Sequence, residues 1–375
     1  MRQASKRQRG SEEGKAEDRY SVASQGQLFR WKFLRHKAAV VSLVVLVLLY
    51  LICIFAEFFS PSDPNINNGD LIWAPPQRIR MMHEGRLHAP FVYGLIQKQD
   101  PRTYRTTYTL ETTTPRTVRL FFLGDPYRFW GIFPGTLHLF GAEGGIHLFG
   151  TDGMGRDLLT RCLYGGRLSL SIGLIGVLIS FFIGIFFGGI SGYFGGHIDN
   201  LIQRLIEFIR SIPTMPLWMA LSVALPPHWP PVRVYFGIVV ILSLVGWTGL
   251  ARVVRSKFLA LREEDFVMAA RLSGAGEAKV IFRHMLPSFS SHIIANLTLS
   301  IPGMILGETS LSFLGLGLQP PAVSWGVLLK DAQKLQVLAH SPWLLIPAIF
   351  VVVSVLAFNF VGDGLRDAAD PYAKV

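Results

Sequence analysis

Six apolar stretches separated by polar segments dominate the pattern of hydrophobic and polar positions along the chain. They cover residues 38–56, 168–191, 211–225, 234–251, 291–314 and 343–362. A helix needs about 20 mostly apolar residues to cross about 30 Å of hydrocarbon, and a backbone in lipid must satisfy its own hydrogen bonds. The pattern predicts an all-α integral membrane protein with six transmembrane helices. The third stretch is short, so we expect its helix to begin before Ser211, on the amphipathic turns around residues 201–210.

The composition supports a membrane protein. Of the 375 residues, 50% are hydrophobic and 16% are charged, whereas soluble domains carry about 25% charged residues. The formal net charge is +11, but the basic residues alternate with long apolar runs instead of forming a polar patch. This distribution favours a role in membrane topology over nucleic-acid binding.

The distribution of Lys and Arg predicts the orientation of the chain. Residues 1–37 hold ten of them and residues 252–284 hold seven, whereas the segments 226–233 and 315–334 hold one and two. Basic flanking segments stay in the cytoplasm, so both termini and the loop 252–290 are expected there. The segment 57–167 contains twelve bases, yet alternation places it outside, and long loops cross largely regardless of charge.

These predictions divide the chain into five parts. They are a basic cytoplasmic tail over 1–37, an uncleaved anchor helix over 38–56, an external insertion over 57–167, a helical core over 168–362 and a cytoplasmic tail over 363–375. Turn-forming residues and an extended run over 117–122 predict that the insertion is small and partly β.

Small residues recur every four positions in the second apolar stretch. They form a ridge on which another helix backbone can approach closely, and they are Gly176, Ser180, Gly184, Gly188 and Gly192. The alternative is that glycine is simply common in membrane helices.

Two acidic residues lie in or near the apolar stretches. Glu207 has Arg204 and Arg210 on neighbouring turns, which predicts an intrahelical ion pair. Glu308 has no such local partner. It is a candidate for the translocation path, for the outer boundary of the membrane, or for a bond to a neighbouring helix.

The loop 265–287 has the pattern of two short helices joined by a turn. Gly274 and Gly276 permit a sharp turn, the second helix groups Val280, Ile281 and His284, and Pro287 is expected to end it. The simpler alternative is an ordinary solvated connection.

The loop also resembles the "EAA" loop of the permeases of binding-protein-dependent ABC importers, which docks in a groove of the ATPase subunit. Met268 stands where that family usually has Glu, which leaves Glu263, Glu264 or Asp265 to replace its charge. The resemblance implies an ATPase-coupling set of Asp265, Met268, Ala269, Ala270, Gly274, Ala275, His284, Leu286 and Pro287.

Further segments resemble the dipeptide and oligopeptide branch of this family. They are residues 31–37, 60–65, 148–157, 207–213, 308–315 and 362–371. The resemblance implies a five-helix core with an additional amino-terminal helix, located in the bacterial inner membrane. The implied partners are a second permease subunit, two ATPase subunits and a periplasmic substrate-binding protein, with a peptide as cargo.

Within the insertion, residues 91–95 and 124–131 resemble the subgroup that includes the microcin C importers. In related importers such an external element contacts the binding protein. Its aromatic residues are equally consistent with a small hydrophobic core.

The chain lacks the phosphate-loop motif G-x-x-x-x-G-K-[ST], and its ten His form no metal-ligand pattern. We therefore expect a non-catalytic subunit without a cofactor or metal, whose partner ATPase binds ATP and Mg. The alternatives are a permease for nickel or another small solute, a proton-coupled secondary transporter and a membrane-anchored enzyme.

Overall fold

The computed structural model describes residues 25–99, 101–102 and 106–370, most of which are helical. The helices are α1 Gln25–Arg35, α2 Lys37–Ile54, α3 Leu158–Phe194, α4 Gly196–Ser211, α5 Thr214–Val223, α6 Pro231–Leu261, α7 Asp265–Leu272, α8 Glu277–Ser288, α9 Ser290–Phe313, α10 Trp325–Leu329, α11 Leu335–His340 and α12 Ile346–Ala369. The strands are β1 Arg80–His83, β2 Arg86–Gln99, β3 Thr106–Phe129 and β4 Phe133–Ala142.

Within the described residues, four helical segments are long and apolar enough to cross a membrane. They are α2, α3, α6 and the segment Pro342–Ala369 that contains α12. The pair α8 and α9, bent by 70° at its junction, makes a fifth if it is counted as one span. These five segments correspond to the first, second, fourth, sixth and fifth predicted stretches.

The third predicted stretch is divided. Helix α4 ends at Ser211, Ile212 is extended, and the ten-residue α5 begins at Thr214. The break follows from Pro213, because a proline disfavours the helical conformation of the residue before it. The prediction that one helix runs from residues 201–210 to residue 225 is therefore wrong.

Helix α3 is longer than its apolar stretch. It begins at Leu158 because the Asp157 side chain caps it, accepting a hydrogen bond from the Thr160 amide at 2.7 Å. Arg161 in its first turn is buried, with its Nε 3.2 Å from Asp152 Oδ2. The polar start of the helix is thus covered by the segment before it.

The small-residue ridge of α3 faces α6. A Cβ added to Gly188 would lie 2.5 Å from the Ala251 carbonyl oxygen, and one added to Gly192 would lie 2.6 Å from the Arg255 carbonyl oxygen. Only glycine permits backbones to approach this closely. The three other ridge residues are also buried in the core, Gly184 beside Leu250, Ser180 within 3.4 Å of the Ser243 carbonyl, and Gly176 beside Met304 of α9.

A four-stranded antiparallel meander in the order β1-β2-β3-β4 lies between α2 and α3 along the chain. The predicted run 117–122 lies in β3, so the prediction of a strand there is confirmed. Val92, Ala142 and Ile146 form a small buried cluster at its base.

The helical core has two distinguishable ends. At the first, Lys32 Nζ donates to the Asp370 carbonyl oxygen at 2.8 Å, so both ends of the described chain meet there. We call it the terminal end. Helix α2 leads from it to Ile54, where Trp130 Nε1 of the sheet donates to the Ile54 carbonyl oxygen at 3.1 Å. We call this opposite side the sheet end.

Candidate coupling segment

Helices α7 and α8 form a compact projection between α6 and α9, and we call residues 265–288 the coupling segment. It lies at the terminal end. A cavity of about 1010 Å³ at this end is lined by His36 and by Lys257, His292 and Arg366 from α6, α9 and α12. The coupling segment therefore projects from the same side of the core as the described chain ends.

The turn between α7 and α8 is a Schellman motif. Gly274 has φ +77°, its amide donates to the Arg271 carbonyl at 2.9 Å, and the Ala275 amide donates to the Ala270 carbonyl at 3.1 Å. Gly adopts the left-handed conformation without a Cβ penalty, and these two bonds satisfy carbonyls at the end of α7. The sequence predicted the turn correctly, and its geometry explains the local use of Gly274.

Three fully buried apolar side chains hold the coupling segment against the core. They are Val267 of α7 and Val280 and Met285 of α8. They belong to one cluster with residues contributed by α3, α6, α9 and the α8–α9 junction, namely Tyr193, Leu250, Val254, Phe258, Phe289 and Ile293. The Arg271 guanidinium adds a cation–π contact, 5.0 Å from the centre of the Tyr193 ring. The segment is thus fixed to three core elements at once.

The opposite side of the coupling segment is exposed and carries large apolar side chains among charged ones. Leu272 is 90% exposed and Phe282 is 67% exposed. Among the residues predicted to couple, Asp265, Met268, Ala269, Gly274 and Pro287 are exposed, while Ala270, Ala275, His284 and Leu286 are half-buried. Leu272 and Phe282 were not predicted to take part in coupling. Both are large apolar residues within the predicted loop, and this is the signal that could have identified them.

The second helix does not end at Pro287. It continues to Ser288 and ends at Phe289, and α9 begins at the 70° bend. Val280–Met285 forms a wider π turn in which the Leu286 amide donates to the Ile281 carbonyl. Pro287 has no N–H to donate, and it follows directly after this wider turn, within the short helical turn Leu286–Ser288.

An ion pair that the sequence analysis missed fixes α4 to α6 beside this segment. Arg255 Nε donates to Asp199 Oδ1 at 2.5 Å, and a second hydrogen bond joins the same two side chains. These hydrogen bonds hold the pKa of Asp199 below its ordinary value. Glu207 lies farther along α4 and, as expected, pairs with Arg204 at 2.8 Å.

Glu308 lies toward the other end of the core and is 0% exposed. The Ser169 hydroxyl of α3 donates to its Oε2 at 3.1 Å, and the Ser312 hydroxyl donates to its Oε1 at 2.8 Å. Of the three placements expected for Glu308, a bond to a neighbouring helix is the one that the structure shows. Its role in the translocation path stays a prediction.

The two serines connect Glu308 to the segment after α9. The Trp325 amide donates to Ser169 Oγ at 3.1 Å, and the Leu318 amide donates to Ser312 Oγ at 2.9 Å. One buried carboxylate therefore organises two backbone positions of the segment 314–334 through two hydroxyl groups.

Comparison with known proteins identifies the family of this chain. The model of the family described as "binding-protein-dependent transport system inner membrane component" matches residues 184–375, which include the coupling segment. The chain belongs to this family. The "N-terminal TM domain of oligopeptide transport permease C" matches residues 24–76 of this permease.

Curated relatives match 60% of the permease. The oligopeptide transport system permease protein OppC of Salmonella typhimurium is 46% identical over 232 residues, which are 60% of this chain and 72% of that protein. OppC of Haemophilus influenzae is 44% identical over 229 residues, 60% of this chain and 71% of that protein. The dipeptide transport system permease protein DppC of Bacillus subtilis is 40% identical over 225 residues, 60% of this chain and 68% of that protein. The permease is therefore a membrane component of a transport system.

Proposed function

We propose that this permease is the membrane subunit of an ATP-driven importer of peptides and that residues 265–288 receive the motion of a separate ATPase. The coupling segment carries the proposal, because it combines buried anchors with an exposed apolar surface. The peptide cargo is supported by the relatives, which are named as oligopeptide and dipeptide permeases. Nickel or another small solute is the alternative cargo.

In the proposed mechanism the exposed side chains Leu272 and Phe282 fill a groove of the ATPase, with Met268 and Ala269 beside them. ATP and Mg are bound by the ATPase, whose closure displaces the segment. Val267, Val280 and Met285 transmit this displacement to α3, α6 and α9, because close-packed interiors transmit strain. Two states of the core, open to opposite sides, would then alternate.

The assembly in this proposal contains a second permease subunit, two ATPase subunits and a periplasmic binding protein. The terminal end faces the cytoplasm, in agreement with the basic residues of 1–37 and 252–284. The sheet end faces the periplasm, and the insertion 57–167 meets the binding protein there. Helix α5, together with the end of α4, completes a sixth crossing as a broken span, so that both termini lie on one side.

Crosslinking tests the docking of the segment. Gly276 and Gly69 are suitable positions, because an added Cβ meets no atom within 4 Å at either and neither has the positive φ of Gly274. Gly276→Cys is expected to crosslink to a cysteine in the ATPase groove, whereas Gly69→Cys, on the side of the sheet, is not. The native Cys53 and Cys162 are both buried and serve as an unreactive background.

Transport tests the rest of the proposal. The permease reconstituted with its ATPase, second permease subunit and binding protein should take up a labelled oligopeptide in an ATP-dependent manner. Equal uptake without the ATPase, driven by a pH gradient, would show a secondary transporter. An active complex in which Gly276→Cys is not crosslinked would contradict the docking.

A further inference from the structure

The β3–β4 hairpin exposes a cluster of large apolar side chains. Trp130 is 56% exposed and Ile132 is 68% exposed, and their neighbours on the two strands are similarly uncovered. We call this cluster the hairpin patch, and it consists of Phe121, Leu123, Trp130, Ile132 and Phe133. A patch of this kind on a folded protein marks a surface that meets another apolar phase.

The turn at the tip of the hairpin contains Trp130, a residue type that the turn geometry disfavours. Trp130 and Gly131 are the central residues of a turn closed by the Ile132 amide donating to the Phe129 carbonyl at 2.9 Å, and their φ angles are +49° and +77°. Both positions of such a turn normally take Gly, Asn or Asp, because a side chain is strained at positive φ. An exposed tryptophan in this position points to a function of its side chain.

Contacts with the first span fix the hairpin at a defined level. Trp130 donates its indole N–H to the carbonyl of Ile54, the last residue of α2. The Phe55 ring lies 6.1 Å from the Trp130 ring and 6.2 Å from the Phe129 ring, measured between centroids. The hairpin tip therefore lies where α2 leaves the hydrocarbon.

The patch also continues a surface that already faces lipid. Helix α2 is the candidate span least covered by the rest of the described chain. Its exposed residues form a stripe that leads to its end and consists of Val44, Val47, Leu48, Leu51 and Ile54. The hairpin patch begins beside Ile54 and Phe55, so the apolar surface of the span extends onto the sheet.

We propose that the hairpin patch inserts into the interfacial layer of the bilayer leaflet at the sheet end. Tryptophan is enriched at the level where hydrocarbon meets headgroups, because its ring is apolar and its N–H is polar. Arg128 is exposed at the same tip and is suited to the phosphate level of the headgroups. The inference requires α2 to span the membrane but does not depend on the cargo or on ATP coupling.

Spin-label accessibility in lipid nanodiscs tests the proposal on the full chain, purified with the subunits that accompany it. Nitroxides are attached at Ile132→Cys and, as a second site, Phe133→Cys. Collision rates are measured with oxygen, which concentrates in lipid, and with a water-soluble nickel chelate. Val47→Cys in the exposed stripe of α2 is the lipid reference, and Thr107→Cys, exposed at the other end of β3, is the water reference.

The expected result is an oxygen-to-nickel collision ratio at Ile132 and Phe133 severalfold above that at Thr107 and approaching that at Val47. A ratio equal to that at Thr107 would overturn the proposal, because the patch would then face water. Low collision rates with both reagents would also overturn it, since the patch would then be covered by protein. The measurement needs no transport, so failure of the proposed function would leave its outcome unchanged.

Discussion

Both ends of the helical core bury apolar side chains of their connecting segments, and the sheet end adds a set of hydrogen bonds. At the terminal end, the coupling segment is attached by the apolar side chains of Val267, Val280 and Met285, and it leaves Leu272 exposed. At the sheet end, the segment 314–334 also buries apolar side chains, among them Leu318 and Trp325, and it is attached in addition by hydrogen bonds that converge on Glu308.

This difference predicts that the coupling segment can move, whereas the segment 314–334 keeps its position. Apolar contacts are non-directional, so a packed segment can change its orientation while it remains buried and still pushes on its neighbours. Hydrogen bonds lose strength steeply when their angles change, so the amides bonded to Ser169 and Ser312 hold one geometry. We therefore expect motion to enter the core at the terminal end and the geometry around Glu308 to persist.

The largest effect is expected from a charge in the apolar attachment. Val280→Asp would bury a carboxylate without a partner in a fully buried position, at a cost of several kcal/mol. The variant should lose most of its folded yield and thermal stability in detergent. The matched control is Leu272→Asp, which places the same charge on an exposed position and should shift unfolding by at most about 0.5 kcal/mol. A Val280→Asp variant as stable as the wild type would contradict the attachment of the segment by buried apolar side chains.

The second-largest effect is expected from removing the hydrogen-bond acceptor Glu308. Glu308→Ala leaves the Ser169 and Ser312 hydroxyls without their acceptor and is expected to lower the free energy of unfolding by about 1–3 kcal/mol. Glu308→Gln keeps an acceptor and nearly the same volume, so its loss should be smaller. Thermal unfolding of the two variants measures the difference, and equal losses would mean that the hydrogen bonds do not hold the segment.

The exposed side of the coupling segment should affect association and not folding. Leu272→Asp is expected to weaken binding of the ATPase at least tenfold, about 1.4 kcal/mol, because a charge replaces an apolar group in the proposed interface. Binding of the purified ATPase to the permease in nanodiscs measures it. Leu335→Asp, on a comparably exposed leucine of α11, is the control, and equal weakening by both variants would contradict a specific interface.

The smallest effect is expected from the ion pair beside the coupling segment. The lowered pKa of Asp199 means that its pair with Arg255 contributes stability above the unfolded pKa of about 3.9, and this contribution is lost as the pH falls through the folded value. Its side chains are partly exposed, so we expect at most about 1 kcal/mol. The unfolding midpoints of the wild type and Asp199→Asn should differ near neutral pH and converge in acid. A constant difference would show that the carboxylate charge is not what stabilises this end.

Local chemistry accounts for what the sequence could predict. Continuous apolar runs identified the segments that include α2, α3, α6, α9 and α12, and a glycine that permits a left-handed turn identified the junction at Gly274. The extended run over residues 117–122, which contains β-branched and aromatic residues, identified part of β3. Each of these signals is contained within a few neighbouring positions.

The features that the sequence could not predict depend on residues far apart in the chain. Glu308 has no charged partner nearby in the sequence. Ser312, one turn farther along the same helix, donates to it, but the second donor, Ser169, is 139 positions away. The pair of Asp199 and Arg255 spans 56 positions. The break at Ile212 has a local cause in Pro213, and the prediction of one continuous helix did not take that residue into account as a helix boundary.

The contact between α3 and α6 has a mechanical consequence. At Gly188 and Gly192 the backbone of α3 lies directly against the backbone of α6, so α3 has no side chain there that could change rotamer to absorb a displacement. Helices α3 and α6 should therefore move as one rigid body, and a displacement near Tyr193 should rotate both together. We then expect the chain to bend where the helical path is already broken, at the 70° bend around Phe289. This bend is expected to act as the hinge of the conformational change.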